Sequence, residues 1–161
     1  MINDYFCGQL RQSINVLFPL ESTEEVIALT YGEICPVPGV SSALIGVVNQ
    51  RGKLLWVLDL SDLLQIAPDK ETRRSPDNLT LLVLNDNKNN GQQIGCVVST
   101  LKGIIPLDLA EKSLNLTSFL EGEFIKTSIM FDNEKYAVID VQAVLNNIFD
   151  SHYFNNLAAK L

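Results

Sequence analysis

Short apolar runs punctuated by turn residues are the feature that most constrains this chain. Ile14 to Leu20, Glu25 to Thr30, Ala43 to Val48, Lys53 to Leu60, Leu79 to Leu84, Gln93 to Val98, Phe124 to Phe131 and Lys135 to Val141 each suit one strand. Such a pattern predicts an all-β fold in which hairpin turns set much of the pairing. Asn49-Gln50-Arg51-Gly52 places Asn and Gly at tight-turn positions and predicts a hairpin between Ala43 to Val48 and Lys53 to Leu60. Asp132-Asn133-Glu134 predicts a second tight hairpin, and Asn85 to Gly91 a longer one. Leu54-Leu55-Trp56-Val57-Leu58 is apolar at every position, so both faces of that strand are expected to be buried. Pro36 and Pro38 lack amide donors and favour an extended, edge-like segment.

Helices are few. Asp59 to Leu64 reads as a short one, with Asp59 or Ser61 as cap. Val141, Val144, Leu145, Ile148 and Phe149 recur at helical spacing behind Asp140, which predicts an amphipathic helix over 141–161. The polar stretch Gln65 to Asp77, with Pro68 and Pro76, reads as a linker. Val57-Leu58-Asp59-Leu60 and Val138-Ile139-Asp140-Val141 echo each other, as a duplicated small barrel would. A capping Asp at a strand-to-helix junction is the rival explanation.

The 161 residues, 47% hydrophobic and 19% charged, fit one globular domain. With 12 basic and 19 acidic residues the net charge is −7, which argues against nucleic acid and anionic membrane surfaces as partners. The longest basic cluster is Arg73-Arg74. No apolar run approaches membrane-spanning length and no signal stretch opens the chain, so a cytoplasmic protein with no direct membrane insertion is expected. Without secretion, the sequons at Asn78 and Asn115 carry no meaning. Cys7, Cys35 and Cys96 are odd in number and lack CxxC spacing; Cys96, and with it Cys35, reads as a small core residue in a reducing compartment.

Groups capable of chemistry are scarce. His152 is the only histidine and reads as a solvated helix residue. One histidine and scattered cysteines make no recognisable zinc site or nucleophilic triad. Gly46 to Lys53 superficially resembles a phosphate loop, but its glycine spacing is one residue too long and Leu54 stands where Ser or Thr would bind magnesium. Glu24 and Glu25 are adjacent on a strand, so their side chains are expected on opposite faces, unsuited to acid–base work. No catalytic residue, metal or cofactor is expected, and the chain is read as no enzyme. Arg51, in the hairpin turn, can pair with a neighbouring carboxylate or present its fork to a protein partner. A solvated arginine is the ordinary alternative.

Pro36-Val37-Pro38-Gly39, then Leu44-Ile45-Gly46-Val47-Val48-Asn49-Gln50-Arg51-Gly52, then Leu55-Trp56-Val57-Leu58-Asp59-Leu60, closely resembles the core of CheW-like domains. Their pattern is an apolar strand, a glycine, an apolar pair, Asn-x-Arg-Gly and an apolar strand closing on Asp-Leu. Glu25-Val26, Ile94-Gly95-Cys96-Val97-Val98, Phe119-Leu120-Glu121-Gly122 and Val138-Ile139-Asp140-Val141 resemble further family elements, extending the match over 14–149. The resemblance implies two small SH3-like five-stranded β-barrels on a shared core, here expected over 14–64 and 79–141 of a single 1–161 domain, with a helix over 141–161. It implies a non-catalytic adapter coupling the regulatory domain of a CheA-type histidine kinase to a methyl-accepting chemoreceptor-like protein. Its partner-binding residues would be Glu25, Ile27, Asn49, Arg51 and Gly52: Glu25 pairing with Arg51, Gly52 permitting the turn, Asn49 fixing it. Trp56, Ile45 and Pro38 are more similar to variants tied to type IV pilus motility and phototaxis than to flagellar ones. Three departures stand out. Tyr5 to Gly8 is a short, broken opening strand that leaves the first barrel without a full edge or borrowing one; Ser99 replaces an acidic residue; and 150–161 extends past the usual core. The rival readings are a small-ligand-binding or hydrolytic barrel using Glu25 and Arg51 in a deep polar cavity, and a structural module that binds no kinase.

Overall fold

The computed structural model describes residues 1–69, 78–86, 91–112 and 119–149. The inner part of the linker, Arg73-Arg74, residues 87–90 of the long hairpin loop, Asn115, His152 and the extension over 150–161 lie outside the described residues. Ten strands are described: β1 (Asn3–Gln9), β2 (Asn15–Pro19), β3 (Thr23–Thr30), β4 (Leu44–Gln50), β5 (Lys53–Asp59), β6 (Asn78–Asn85), β7 (Gln93–Val98), β8 (Thr100–Leu107), β9 (Ile125–Phe131) and β10 (Glu134–Ile139). Helices α1 (Leu60–Leu63), α2 (Leu109–Lys112) and α3 (Val141–Phe149) accompany them. The strands form two five-stranded sheets, ordered β8-β1-β2-β10-β9 and β3-β6-β7-β5-β4. The all-β, two-barrel architecture inferred from the sequence is therefore present.

The division of the chain between the barrels differs from expectation. A first barrel over 14–64 and a second over 79–141 would keep each half of the chain to itself. Instead β1 and β2 join β8, β9 and β10, while β3, β4 and β5 join β6 and β7. The reason lies in the pairing of each half's third strand: β3 runs antiparallel to β6, and β8 antiparallel to β1. Each barrel therefore takes two strands from one half and three from the other. The halves correspond in order, because β1 to β5 occupy the same relative places as β6 to β10. Both barrels contain one parallel pair, β5 with β7 and β10 with β2. The echo seen in the sequence is repeated in the caps: Asp59 Oδ1 accepts from the Asp62 amide and Asp140 Oδ1 from the Ala143 amide, each at 3.0 Å.

The opening strand is neither short nor at an edge. β1 pairs with β2 on one side and β8 on the other, and a register shift beside Gly8 absorbs the irregularity that made the segment look broken. β8 was not evident in the sequence. It lies at a sheet edge, where Pro is tolerated, and Ile104 and Pro106 are exposed.

The cores explain the burial pattern. One cluster lies between the barrels and gathers Val16, Phe18, Leu58, Leu82, Leu84 and Ile94, with α3 adding Val144, Leu145 and Ile148. Each barrel also has its own interior, Ile27, Leu29, Val48, Leu55 and Val57 in one, Tyr5, Cys7, Leu17, Ile129 and Val138 in the other. Fully burying a Leu or Phe contributes about 1.5–3 kcal/mol, so the shared cluster binds the barrels into one unit. Two expectations fail against it. Cys35 is exposed, because it makes a lone bridge to Val47 outside the sheet proper. Leu54 is 74% exposed, since it follows the turn before β5 enters the core; Leu55, Val57 and Leu58 are buried.

Gly46 is fixed by close backbone approach. A Cβ there would stand 2.2 Å from the Cys35 carbonyl oxygen and 2.9 Å from Pro36 Cα, and neither backbone atom can rotate away. Gly46→Ala should lower stability by about 1–3 kcal/mol or more in urea unfolding. Removal of residues 1–9 should abolish cooperative unfolding altogether, because β1 is flanked on both sides; a truncated chain that retained a sharp transition in circular dichroism would contradict this topology.

Candidate functional site

The β4–β5 hairpin closes on two residues, with Gln50 paired to Lys53 and Arg51-Gly52 between them. Their φ values of 54° and 83° are both positive, the I′ pattern whose twist matches that of the flanking strands. Gly52 adopts this conformation without steric cost. The Gly52 amide donates to Asn49 Oδ1 at 2.9 Å, so Asn49 pins the turn as the sequence reading anticipated. The tip of the hairpin thus carries Arg51 outward in a defined place.

Arg51 Nη2 donates to Glu25 Oε2 at 3.1 Å, with side-chain exposures of 77% and 33%. Glu25 lies on β3, at the opposite edge of the sheet from β4. The ion pair therefore spans the open side of the curled sheet at one rim. Among the described residues this is the only hydrogen bond of the Arg51 guanidinium, leaving much of its donor fork toward solvent.

Ile27 does not belong to this surface. It is 9% exposed and packs inside the barrel with Leu29 and Leu55, because strand alternation turns it inward. The apolar groups that do reach solvent nearby in sequence are Val26 on β3, 47% exposed, and Leu54 beside the turn.

The opposite-face expectation for Glu24 and Glu25 also fails. Thr23 pairs with Leu84 and Glu25 with Val83, so Glu24 is an extra residue in a β-bulge. A bulge breaks alternation, and both carboxylates line one concavity of about 200 Å³ with Arg51, Lys53 and Leu54. Glu24 accepts from Asn85 Nδ2 at 2.8 Å and from Gln93 Nε2. Sequence inspection missed Asn85 and Gln93 and put Glu24 on the wrong face, since a bulge leaves no signal in local periodicity.

Arg51 and Glu25 pair with one another, and the concavity of about 200 Å³ is smaller than the roughly 300–1,000 Å³ typical of small-molecule sites. Elsewhere, burial pushes the Cys7 and Cys96 thiols above their ordinary range and holds them in the less nucleophilic protonated form. Asp59 is also raised, chiefly by burial, yet its Oδ1 serves α1 as a cap. Burial likewise pushes the Tyr136 hydroxyl up to about 12. Among the described residues, no group of three or more His, Cys, Asp or Glu side chains is placed to hold a metal ion. No described helix is long and apolar enough to cross a membrane.

Known proteins agree with this architecture. The chemotaxis protein CheW of Thermotoga maritima is 25% identical over 133 residues, covering 81% of this chain and 80% of that one. The crystal structure of the scaffolding protein TtCheW from Thermoanaerobacter tengcongensis matches with a TM-score of 0.71 over 87% of this chain and 90% of that one; at 19% identity, it is a likeness of fold. The CheW-like domain model matches residues 7–149, spanning both barrels and α3, and the chain therefore belongs to the CheW-like domain family.

Proposed function

We propose that this chain is a non-catalytic adapter of bacterial chemosensory signalling, coupling a CheA-type histidine kinase to a chemoreceptor-like protein from the cytoplasm. The observation that carries this reading is the Arg51 turn. Its guanidinium is mostly exposed, its backbone is pinned by Asn49 and Gly52, and Glu25 restrains one nitrogen. A surface arginine held in this way meets a carboxylate or carbonyl on a partner with less loss of side-chain freedom. The kinase regulatory domain is the partner assigned to this rim, with Glu25, Asn49, Arg51 and Gly52 as its residues. The hydrolytic reading lacks support at the same place, since Arg51 and Glu25 neutralise each other and the concavity is small. Within this role, the likeness of Trp56, Ile45 and Pro38 to pilus and phototaxis variants favours one of those motility systems.

Arg51→Glu places like charges beside Glu25 and reverses the sign offered to the partner. Binding to the cognate kinase regulatory domain, followed by titration calorimetry, should weaken at least tenfold, equivalent to about 1.4 kcal/mol. Arg51→Ala should change urea-unfolding stability by no more than about 1 kcal/mol, because an exposed pair contributes little. Unchanged affinity in Arg51→Glu would remove the rim from the interface, and a large loss of stability in Arg51→Ala would make the residue structural.

A further inference from the structure

Glu24 shares the rim with Glu25, Arg51 and Lys53, and its surroundings differ from those of the Glu25–Arg51 pair. Both of its carboxylate oxygens accept from neutral amides, Oε1 from Asn85 Nδ2 at 2.8 Å and Oε2 from Gln93 Nε2. Asn85 ends β6 and Gln93 opens β7, directly opposite one another in the ladder. Asn85 is only 8% exposed, so this anchor lies within the protein. One side chain thereby ties the bulge of β3 to its neighbour β6 and to β7 beyond it.

The bulge has a geometric consequence. In an unbroken strand Glu24 and Glu25 would alternate between faces; here both line the concavity shared with Arg51. The contact from Glu25 to Arg51 is thus made from a strand whose local course the Glu24 hydrogen bonds hold.

The other barrel provides an internal comparison. Lys102 is the extra residue of a bulge at the corresponding place in β8. Its Nζ donates to Asn15 Oδ1 at 3.4 Å, and Asn15 opens β2 opposite Gln9 as Gln93 opens β7 opposite Asn85. A charged bulge residue tied to an amide at the head of the neighbouring hairpin therefore occurs in both barrels. The negative version lies beside Arg51.

We infer that Glu24, held by Asn85 and Gln93, is the positioning residue of the rim: it fixes the bulge that aims Glu25 at Arg51 and so sets the direction of the guanidinium. The consequence for partner binding rests on the adapter reading; the consequence for Arg51 itself does not.

The test uses the full chain and two readouts. In the free protein, nitrogen-15 relaxation of the Arg51 Nε–H group should report a lower order parameter in Glu24→Ala, close to that in Glu25→Ala. Glu24→Gln, which keeps one acceptor oxygen, should fall between wild type and Glu24→Ala. If Glu24→Ala fails to fold, Gln93→Ala removes one tie and should lower the same order parameter. In the bound state, Glu24→Ala should weaken affinity for the kinase regulatory domain about fivefold or more, and that loss should vanish in an Arg51→Ala background. An Arg51 order parameter unmoved by Glu24→Ala or Gln93→Ala would overturn the inference. So would a binding loss that persists undiminished without Arg51, because Glu24 would then contact the partner directly. If the wild-type chain binds no kinase domain, the adapter reading fails, and the relaxation result alone decides the role of Glu24.

Discussion

β3 forms its ladder with β6, and β8 forms its ladder with β1, each pairing reaching from one half of the chain into the other. Every other feature of the fold depends on these two antiparallel ladders. They make each barrel a composite, so the first half cannot bury Ile27 and Leu29 until β6 of the second half arrives with Leu79, Leu81 and Val83. They also bring Phe18, Leu58, Leu82 and Ile94 into the cluster between the barrels. Such contacts are far apart in sequence, and closing them costs chain entropy before burial rewards it. The result is two barrels that no cut between the halves of the chain would separate intact.

For an adapter, this composite construction has a direct use. A rim placed on one barrel is braced by strands from both halves of the chain. The Arg51 turn belongs to the first half, while the amides of Asn85 and Gln93 behind Glu24 belong to the second. The charged groups themselves add little to stability, because exposed pairs are screened by water and salt. Apolar burial holds the fold, and the rim charges are left available for recognition.

What the sequence made legible follows from the range of each interaction. Strand cores, the Asn49 to Gly52 hairpin and the caps Asp59 and Asp140 are local, and the residues that form them are adjacent in the chain. The Glu25–Arg51 contact entered only through the family resemblance, since no local rule joins residues 26 positions apart. The partition of strands between barrels was misread because hairpins favour neighbours, whereas here the decisive ladders skip to the other half. β1 looked like a short, broken strand that left a barrel edge incomplete, yet the strands on both sides complete its hydrogen bonding. Ile27 was placed on the surface by resemblance although alternation turns it inward, and Cys35 was placed inside although it sits on a lone bridge. The Glu24 bulge was invisible because one extra residue in a strand changes register without changing composition.

The two hairpin turns at equivalent places in the barrels separate what folding asks of this site from what recognition asks. Both use two residues at positive φ: Asp132 and Asn133 at 50° and 62°, Arg51 and Gly52 at 54° and 83°. Asp, Asn and Gly tolerate the left-handed region, through short polar side chains or the absence of a Cβ. Arginine has neither advantage, and a non-glycine residue there costs on the order of 1–2 kcal/mol. The exposed contact with Glu25 returns about 0–1 kcal/mol, which does not exceed that cost. Stability alone would favour Asn or Asp at position 51, as in the other barrel. A long, charged side chain in a left-handed turn, restrained by one carboxylate and otherwise open to solvent, is what a docking contact requires and a hairpin does not.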